Sequence, residues 1–222
     1  MPRAVVFDLD YTLAVPQRDR AAILSEATEA ADAPDLSRDD YLAAHRRNLT
    51  RETREPIFED LLADRDSDAD PGELARAYRE TIASALEPLP GVEGMLDRLR
   101  EAYCVGLLTN GPVRAQRDKL STLDWEDAFD AALVTGELEA GKPDPRAFQA
   151  IAAELGVDPA DAVYVGDEIE ADVYGATNAD MAVIQVLRPN GPESDPRAIG
   201  HVEQAEVATA VPRILDSMED AG

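Results

Sequence analysis

The stretch Ala4-Val5-Val6-Phe7-Asp8-Leu9-Asp10-Tyr11-Thr12 decides how this chain is read. Residues Ala4–Leu9 form a nearly continuous apolar run that ends in acid. Such a run predicts a strand buried on both faces, as in a parallel sheet. Asp8 and Asp10, two residues apart, point the same way off an extended backbone. Two close carboxylates are costly unless they share a cation or a proton. A carboxylate at a strand tip can serve as a nucleophile or a metal ligand. A solvated turn with helix-capping acids has the same composition.

Working outward, four more runs of the same kind follow. They are Cys104–Thr109, Ala131–Val134, Ala162–Val165 and Ala182–Leu187, and each ends in polar or glycine-containing residues. Helical stripes fall between and after them: Val92, Met95, Leu96 and Leu99; Phe148, Ile151, Ala152 and Leu155; Val211, Ile214, Leu215 and Met218. Asp144-Pro145 offers an N-cap and a first-turn proline for the second of these. The alternation predicts an α/β fold, a parallel sheet with helices on both faces. Residues 15–88 break the rhythm. They hold no convincing strand, and helices are expected near 17–31, 38–54 and 73–86, a helical insertion after the first strand. Pro88-Leu89-Pro90-Gly91 marks the return, and 187–200 reads as a long loop. Trp125 and Phe129 are expected to pack under the third strand, Cys104 in the core, and His45 and His201 at the surface.

The remaining strand tips carry further chemistry. Thr109-Asn110-Gly111 precedes Pro112 and a helix, so a hydroxyl and free N–H groups there suit a phosphate, or simply make a turn and cap. The chain has 19 arginines and only two lysines, Lys119 and Lys142. Lys142 is kept in Gly141-Lys142-Pro143-Asp144-Pro145, and a point charge on a flexible stem is a good phosphate partner. Gly166-Asp167-Glu168-Ile169-Glu170-Ala171-Asp172 is an acid-rich tip that matches a magnesium site or an acidic helix start.

In this order the four elements resemble the haloacid dehalogenase superfamily over the whole chain. The resemblance implies a Rossmann-like core of residues 1–14 and 89–222, and a class-one helical cap of residues 15–88. It implies that Asp8 is the nucleophile that takes a phosphoryl group. Asp10 is then the acid that protonates the leaving oxygen and the base that activates water. Thr109 and Lys142 would hold the phosphoryl oxygens, with Asn110 and Gly111 on the substrate. Mg²⁺ would be held by Asp8, the Asp10 carbonyl and Asp167, with Asp172 beside it. Two departures stand out: Tyr11 replaces a frequent glycine, and Glu168 a frequent serine or threonine. The dehalogenases of the superfamily lack the second aspartate, so Asp10 favours phosphate chemistry. On a helix over 38–54, Arg47, Arg51 and Arg54 would share one face. They would either pair with Glu52, Glu55 and Glu59 or bind a second anionic group of the substrate.

Composition bounds the rest. With 222 residues and a formal charge of −25, the chain is long enough for one core with an insertion and repels nucleic acid. The scattered acids are similar to the protein surfaces of extreme halophiles. No run approaches the ~20 apolar residues of a membrane span, and the N-terminal run is too short for an export signal. The expected place is the cytoplasm, and the expected partner is a small phosphorylated metabolite. The oligomeric state is left open. The expected activity is a Mg²⁺-dependent phosphatase. A sugar-phosphate mutase, a 2-haloacid dehalogenase and a non-catalytic binding module are the alternatives.

Overall fold

Six parallel strands form the central sheet of the chain, whose computed structural model describes residues 1–63 and 65–220. In chain order the elements are β1 (Ala4–Phe7), β2 (Ala14–Pro16), α1 (Arg20–Ala30), α2 (Arg38–Arg47), α3 (Glu55–Leu62) and α4 (Pro71–Ala83). There follow β3 (Leu86–Pro88), α5 (Val92–Leu99), β4 (Cys104–Thr109), α6 (Val113–Thr122), β5 (Ala131–Val134) and α7 (Pro145–Glu154). The chain ends with β6 (Ala162–Gly166), α8 (Gly175–Asn178), β7 (Ala182–Leu187), β8 (Gly200–Glu203) and α9 (Val207–Asp220). The sheet order is β5-β4-β1-β6-β7-β8. Strand order reverses at β1, which is the Rossmann arrangement, and its carboxyl edge is where such sheets bind ligands.

Alternation along β1 builds two apolar layers. Val5 and Phe7 join Val105, Leu107, Val163 and Val165 beneath α5 and α9. Ala4 and Val6 join Leu108 and Tyr164 against α7. Helices α1–α4 enclose a third cluster, built on Ile23, Leu24, Tyr41, Phe58, Leu74 and Tyr78. None of the described helices is long and apolar enough to cross a membrane.

Several expectations are corrected. The first strand ends at Phe7, and Asp8–Thr12 turns, with Tyr11 in the left-handed region at φ 63°. Residues 15–88 do carry strand: β2 and β3 pair antiparallel, Ala14 opposite Pro88 and Pro16 opposite Leu86. Three-residue strands with proline give no periodic signal. The loop read over 187–200 ends in β8, whose only buried residue is Val202. The helix expected over 38–54 is two helices. The Asn48 amide donates to the Ala44 carbonyl at 3.0 Å and closes α2, and Pro56, which cannot sit in a helix interior, opens α3. Between them the chain docks on the core: Val113 and Arg114 donate their N–H groups to the Arg51 and Glu52 carbonyls, both at 3.0 Å. Cys104 is only partly buried. Trp125 and Phe129 pack edge-to-face in the core as expected, and Asp144 caps α7 through the Arg146 N–H.

Candidate active site

The carboxyl ends of β1, β4 and β6 open into a cavity of about 650 Å³, walled on its far side by α1, α2 and the residues before α3. Its floor is acidic. Asp8, Asp167 and Asp172 each bring a carboxylate oxygen within 4.8 Å of the others, and all three are buried. Lys142 reaches into this group: its Nζ donates to Asp8 Oδ1 at 2.8 Å, Asp172 Oδ1 at 2.7 Å and the Tyr164 hydroxyl at 2.7 Å. The Glu168 N–H donates to Asp172 Oδ2 at 2.9 Å. Gly166 permits this, since a Cβ there would stand 2.5 Å from the Asp172 carboxylate.

Burial sets the electrostatics of the floor. It raises the Asp8 pKa to about 7 against the pull of Lys142, with the Asp172 charge adding to the rise. Burial and the charges of Asp172 and Asp8 also raise Asp167 well above the usual carboxylate range. Lys142 is held well above its ordinary value because Asp172 and Asp8 outweigh its burial. Asp167 Oδ2 is buried with no aligned hydrogen-bond donor, although Arg188 Nε lies 3.0 Å away. Three converging carboxylates with one orphaned oxygen are the hard donor set that a Mg²⁺ ion takes.

The wall is basic. Asp10 does not join the acidic group. Its Oδ1 accepts from Arg20 Nη2 at 2.7 Å, and its Oδ2 pairs with Lys119 and accepts from Gln116 at 3.2 Å. Burial would raise its pKa, but Lys119 and Arg20 hold it far below the usual carboxylate range. Lys119 is 3% exposed, and burial lowers its pKa to about 8 despite Asp10. Tyr11 lies between two guanidinium groups, with Arg188 4.9 Å and Arg20 5.6 Å from its ring centre. The residue that replaces glycine thus ties floor to wall.

Thr109 is buried at the end of β4, its hydroxyl accepting from Gln116 at 3.1 Å. Asn110 lines the cavity, but its amide makes a two-way bond with the Lys142 backbone, at 2.9 and 3.0 Å, and so fixes the lysine's loop. Gly111 is not available as drawn from the sequence: at φ 139° its N–H donates to the Thr135 hydroxyl at 3.1 Å. The arginine face does not exist, because the helix that would carry it is broken. Arg47 is exposed and pairs with Asp60 at 3.1 Å, and Arg51 is exposed with its Nε on Asn48 Oδ1 at 3.4 Å. Only Arg54 lines the cavity. His45, expected at the surface, lines it too, stacked on Tyr41 with ring centres 6.0 Å apart, whereas His201 is exposed. Burial, aided by Arg54 and Lys119, lowers the His45 pKa to about 3.

Arg20, Gln116, Lys119 and Arg188 are cavity residues that the sequence reading missed. A signal existed for one of them: the scarcity that singles out Lys142 applies equally to Lys119.

Comparison with known proteins fits this geometry. The haloacid dehalogenase-like hydrolase profile matches residues 2–180. A glyceraldehyde 3-phosphate phosphatase from Methanopyrus kandleri is 32% identical over 218 residues, spanning 93% of each chain. Among solved structures, a HAD phosphatase from Thermococcus onnurineus has a TM-score of 0.67 and 27% identity, covering 96% of this chain and 97% of its own. A 2-haloacid dehalogenase from Pseudomonas syringae has a TM-score of 0.70 and 25% identity, covering 98% and 100%.

Proposed function

This chain belongs to the haloacid dehalogenase-like hydrolases, and on that premise we propose that it is a Mg²⁺-dependent phosphatase of a small phosphorylated metabolite. The observation that supports it most is Lys142 Nζ, 2.8 Å from Asp8 Oδ1 on the floor of a cavity large enough for a metabolite. Asp8 attacks phosphorus, the ester P–O bond breaks, and the phosphoryl group passes to the Asp8 carboxylate. The leaving alkoxide takes a proton from Asp10. Water then attacks the aspartyl phosphate, Asp10 accepts its proton, and inorganic phosphate leaves with Asp8 restored. The ionised Asp10 between Lys119 and Arg20 is the form ready for the second step; to donate in the first, Asp10 must leave that pairing and carry a proton, the one that the hydrolytic water returned to it in the preceding turnover. Thr109 and Lys142 hold the phosphoryl oxygens, and Asn110 positions Lys142 through its backbone. Asp8 and Asp167, with the Asp10 carbonyl and Asp172 beside them, would hold Mg²⁺, which supplies charge neutralisation for the incoming phosphate dianion.

Residues 15–88 act as the cap over this site, joined to a core of 1–14 and 89–222, in a protein of the cytoplasm. The M. kandleri relative makes glyceraldehyde 3-phosphate the first ester to test. Purified protein with p-nitrophenyl phosphate and Mg²⁺ should release phosphate, and excess EDTA should stop it. Full turnover in EDTA, or fluoride release from fluoroacetate, would move the chain to the dehalogenase chemistry. An isomerised sugar phosphate in place of free phosphate would make it a mutase.

A further inference from the structure

Of the three buried cations that line the cavity, Arg54, Lys119 and Lys142, two are answered by carboxylates, as are the half-buried Arg20 and Arg188. Lys142 bonds Asp8 and Asp172, Arg188 lies beside Asp167, and Arg20 and Lys119 share Asp10. Arg54 is 6% exposed and has no carboxylate partner among the described residues. Its Nε donates to the Tyr41 hydroxyl at 3.1 Å, and its guanidinium carbon lies 5.3 Å from the Tyr78 ring centre. Its Nη1 is buried with no hydrogen-bond partner, and so is Nδ1 of the neighbouring His45. A buried guanidinium without a counter-charge is costly, and it is retained where something else supplies the charge.

We propose that Arg54, flanked by His45, receives a carboxylate at the far end of a phosphate monoester substrate. The proposal rests on the phosphatase reading and names its substrate class. The phosphoryl end belongs to the floor, with Thr109 and Lys142. The far end must then meet the wall, where one buried, unanswered positive charge matches one negative charge. The planar guanidinium fork, held by Tyr41 and backed by the Tyr78 ring, suits a carboxylate. Arg46, exposed, and Arg38, half-exposed, also border the cavity, and water weakens both relative to the buried Arg54. Arg54 borders a second, smaller cavity of about 160 Å³ as well. The other arginines there include Arg79, paired with Asp118 at 2.7 Å, and Arg76, paired with Glu80 at 3.3 Å. The remaining one, Arg114, is exposed, and Glu55 stands on the same side.

The test compares three esters of one skeleton: 3-phosphoglycerate, glyceraldehyde 3-phosphate and glycerol 3-phosphate, which end in a carboxylate, an aldehyde and a hydroxymethyl group. With Mg²⁺ the wild-type chain should favour the acid over the alcohol in kcat/KM by about tenfold or more. Arg54→Gln should bring that ratio to within about twofold, mainly by raising KM for the acid, and Arg54→Lys should keep part of it. A structural role for Arg54 would lower all three substrates alike and leave the ratio intact, which overturns the proposal. Equal wild-type use of acid and alcohol, or preference for the aldehyde over the acid, overturns it too while leaving the phosphatase reading in place. If none of the three esters nor p-nitrophenyl phosphate is cleaved, the phosphatase reading fails and takes this one with it. Should Arg54→Gln not fold, the wild-type ratio and Arg54→Lys decide.

Discussion

The floor and the wall of the cavity are built in different ways and carry opposite charge. The floor gathers Asp8, Asp167 and Asp172 around a single ammonium, Lys142. The wall gathers Arg20 and Lys119 around a single carboxylate, Asp10, and leaves Arg54 without one. Each side keeps an ion of the other sign at its centre, Lys142 buried and Asp10 half-buried. Asp8 and Asp10 are two residues apart, yet one serves each side, because the chain turns after Phe7 and extended geometry no longer applies. The difference teaches that the floor is a property of strand ends, and the wall a property of how helices pack over them.

Asp8→Asn gives the sharpest contrast. An amide cannot attack phosphorus, so kcat should fall at least about 10³-fold, ~4 kcal/mol in the barrier, with the melting temperature close to wild type. Turnover within about tenfold of wild type would mean that the floor is not the reacting half.

Lys119→Met should act on stability. It leaves Asp10 buried with Arg20 and Gln116 alone, a loss of about 3 kcal/mol, which in a chain of this size lowers Tm by roughly 6–12 °C. An unchanged Tm would show that Arg20 and Gln116 suffice, and that the wall is held without its lysine.

The exterior differs from both sides, since acids are scattered over the whole chain at a net charge of −25. Molar KCl should raise Tm by on the order of 5 °C, because screening relieves exposed repulsion while the buried pairs feel it less. A Tm that falls steadily with KCl would contradict the likeness to halophile surfaces.

The smallest effect concerns acid. Burial holds His45 at about 3 in the fold, against an ordinary 6.5. The unfolded chain therefore binds an extra proton between those values, and stability falls as pH drops from 6.5 toward 3. His45→Gln removes that share, so at pH 5 the variant should lose about 1–2 kcal/mol less than wild type relative to neutral pH. Identical acid curves for the two proteins would place His45 in water.

Asp8 and Asp167 are legible in the sequence because each directly follows a strand, and strand ends announce themselves by apolar runs that stop; Asp172 is legible from the acidic run after Gly166, and Lys142 from the scarcity of lysine and its place in Gly141-Lys142-Pro143. The sheet was legible from the same apolar runs. The arginines were misread because periodicity assumed one helix where Asn48 and Pro56 make two. What holds the 48–54 segment is a tertiary event, its carbonyls meeting the first N–H groups of α6, and no local pattern encodes that. His45 sits four residues after Tyr41 on α2, an apolar-face position that charge-based reading passes over. Gly111 was legible as a turn, but its N–H goes to Thr135 in another segment.

The pairing of β2 with β3 has a consequence for ancestry and for engineering. The chain leaves the sheet and returns to it through neighbouring strands, Pro16 opposite Leu86, so the two covalent links to everything between lie about 5 Å apart, and its other ties to the core include hydrogen bonds and ion pairs. Any segment whose ends meet at that spacing can be spliced in without moving β1 or the order of the sheet, and lengthening it costs little closure entropy. On the function proposed above, the reacting half and the selecting half can then be inherited separately. A foreign insert grafted at residues 16 and 86 onto an untouched floor is the way to put that separation to use.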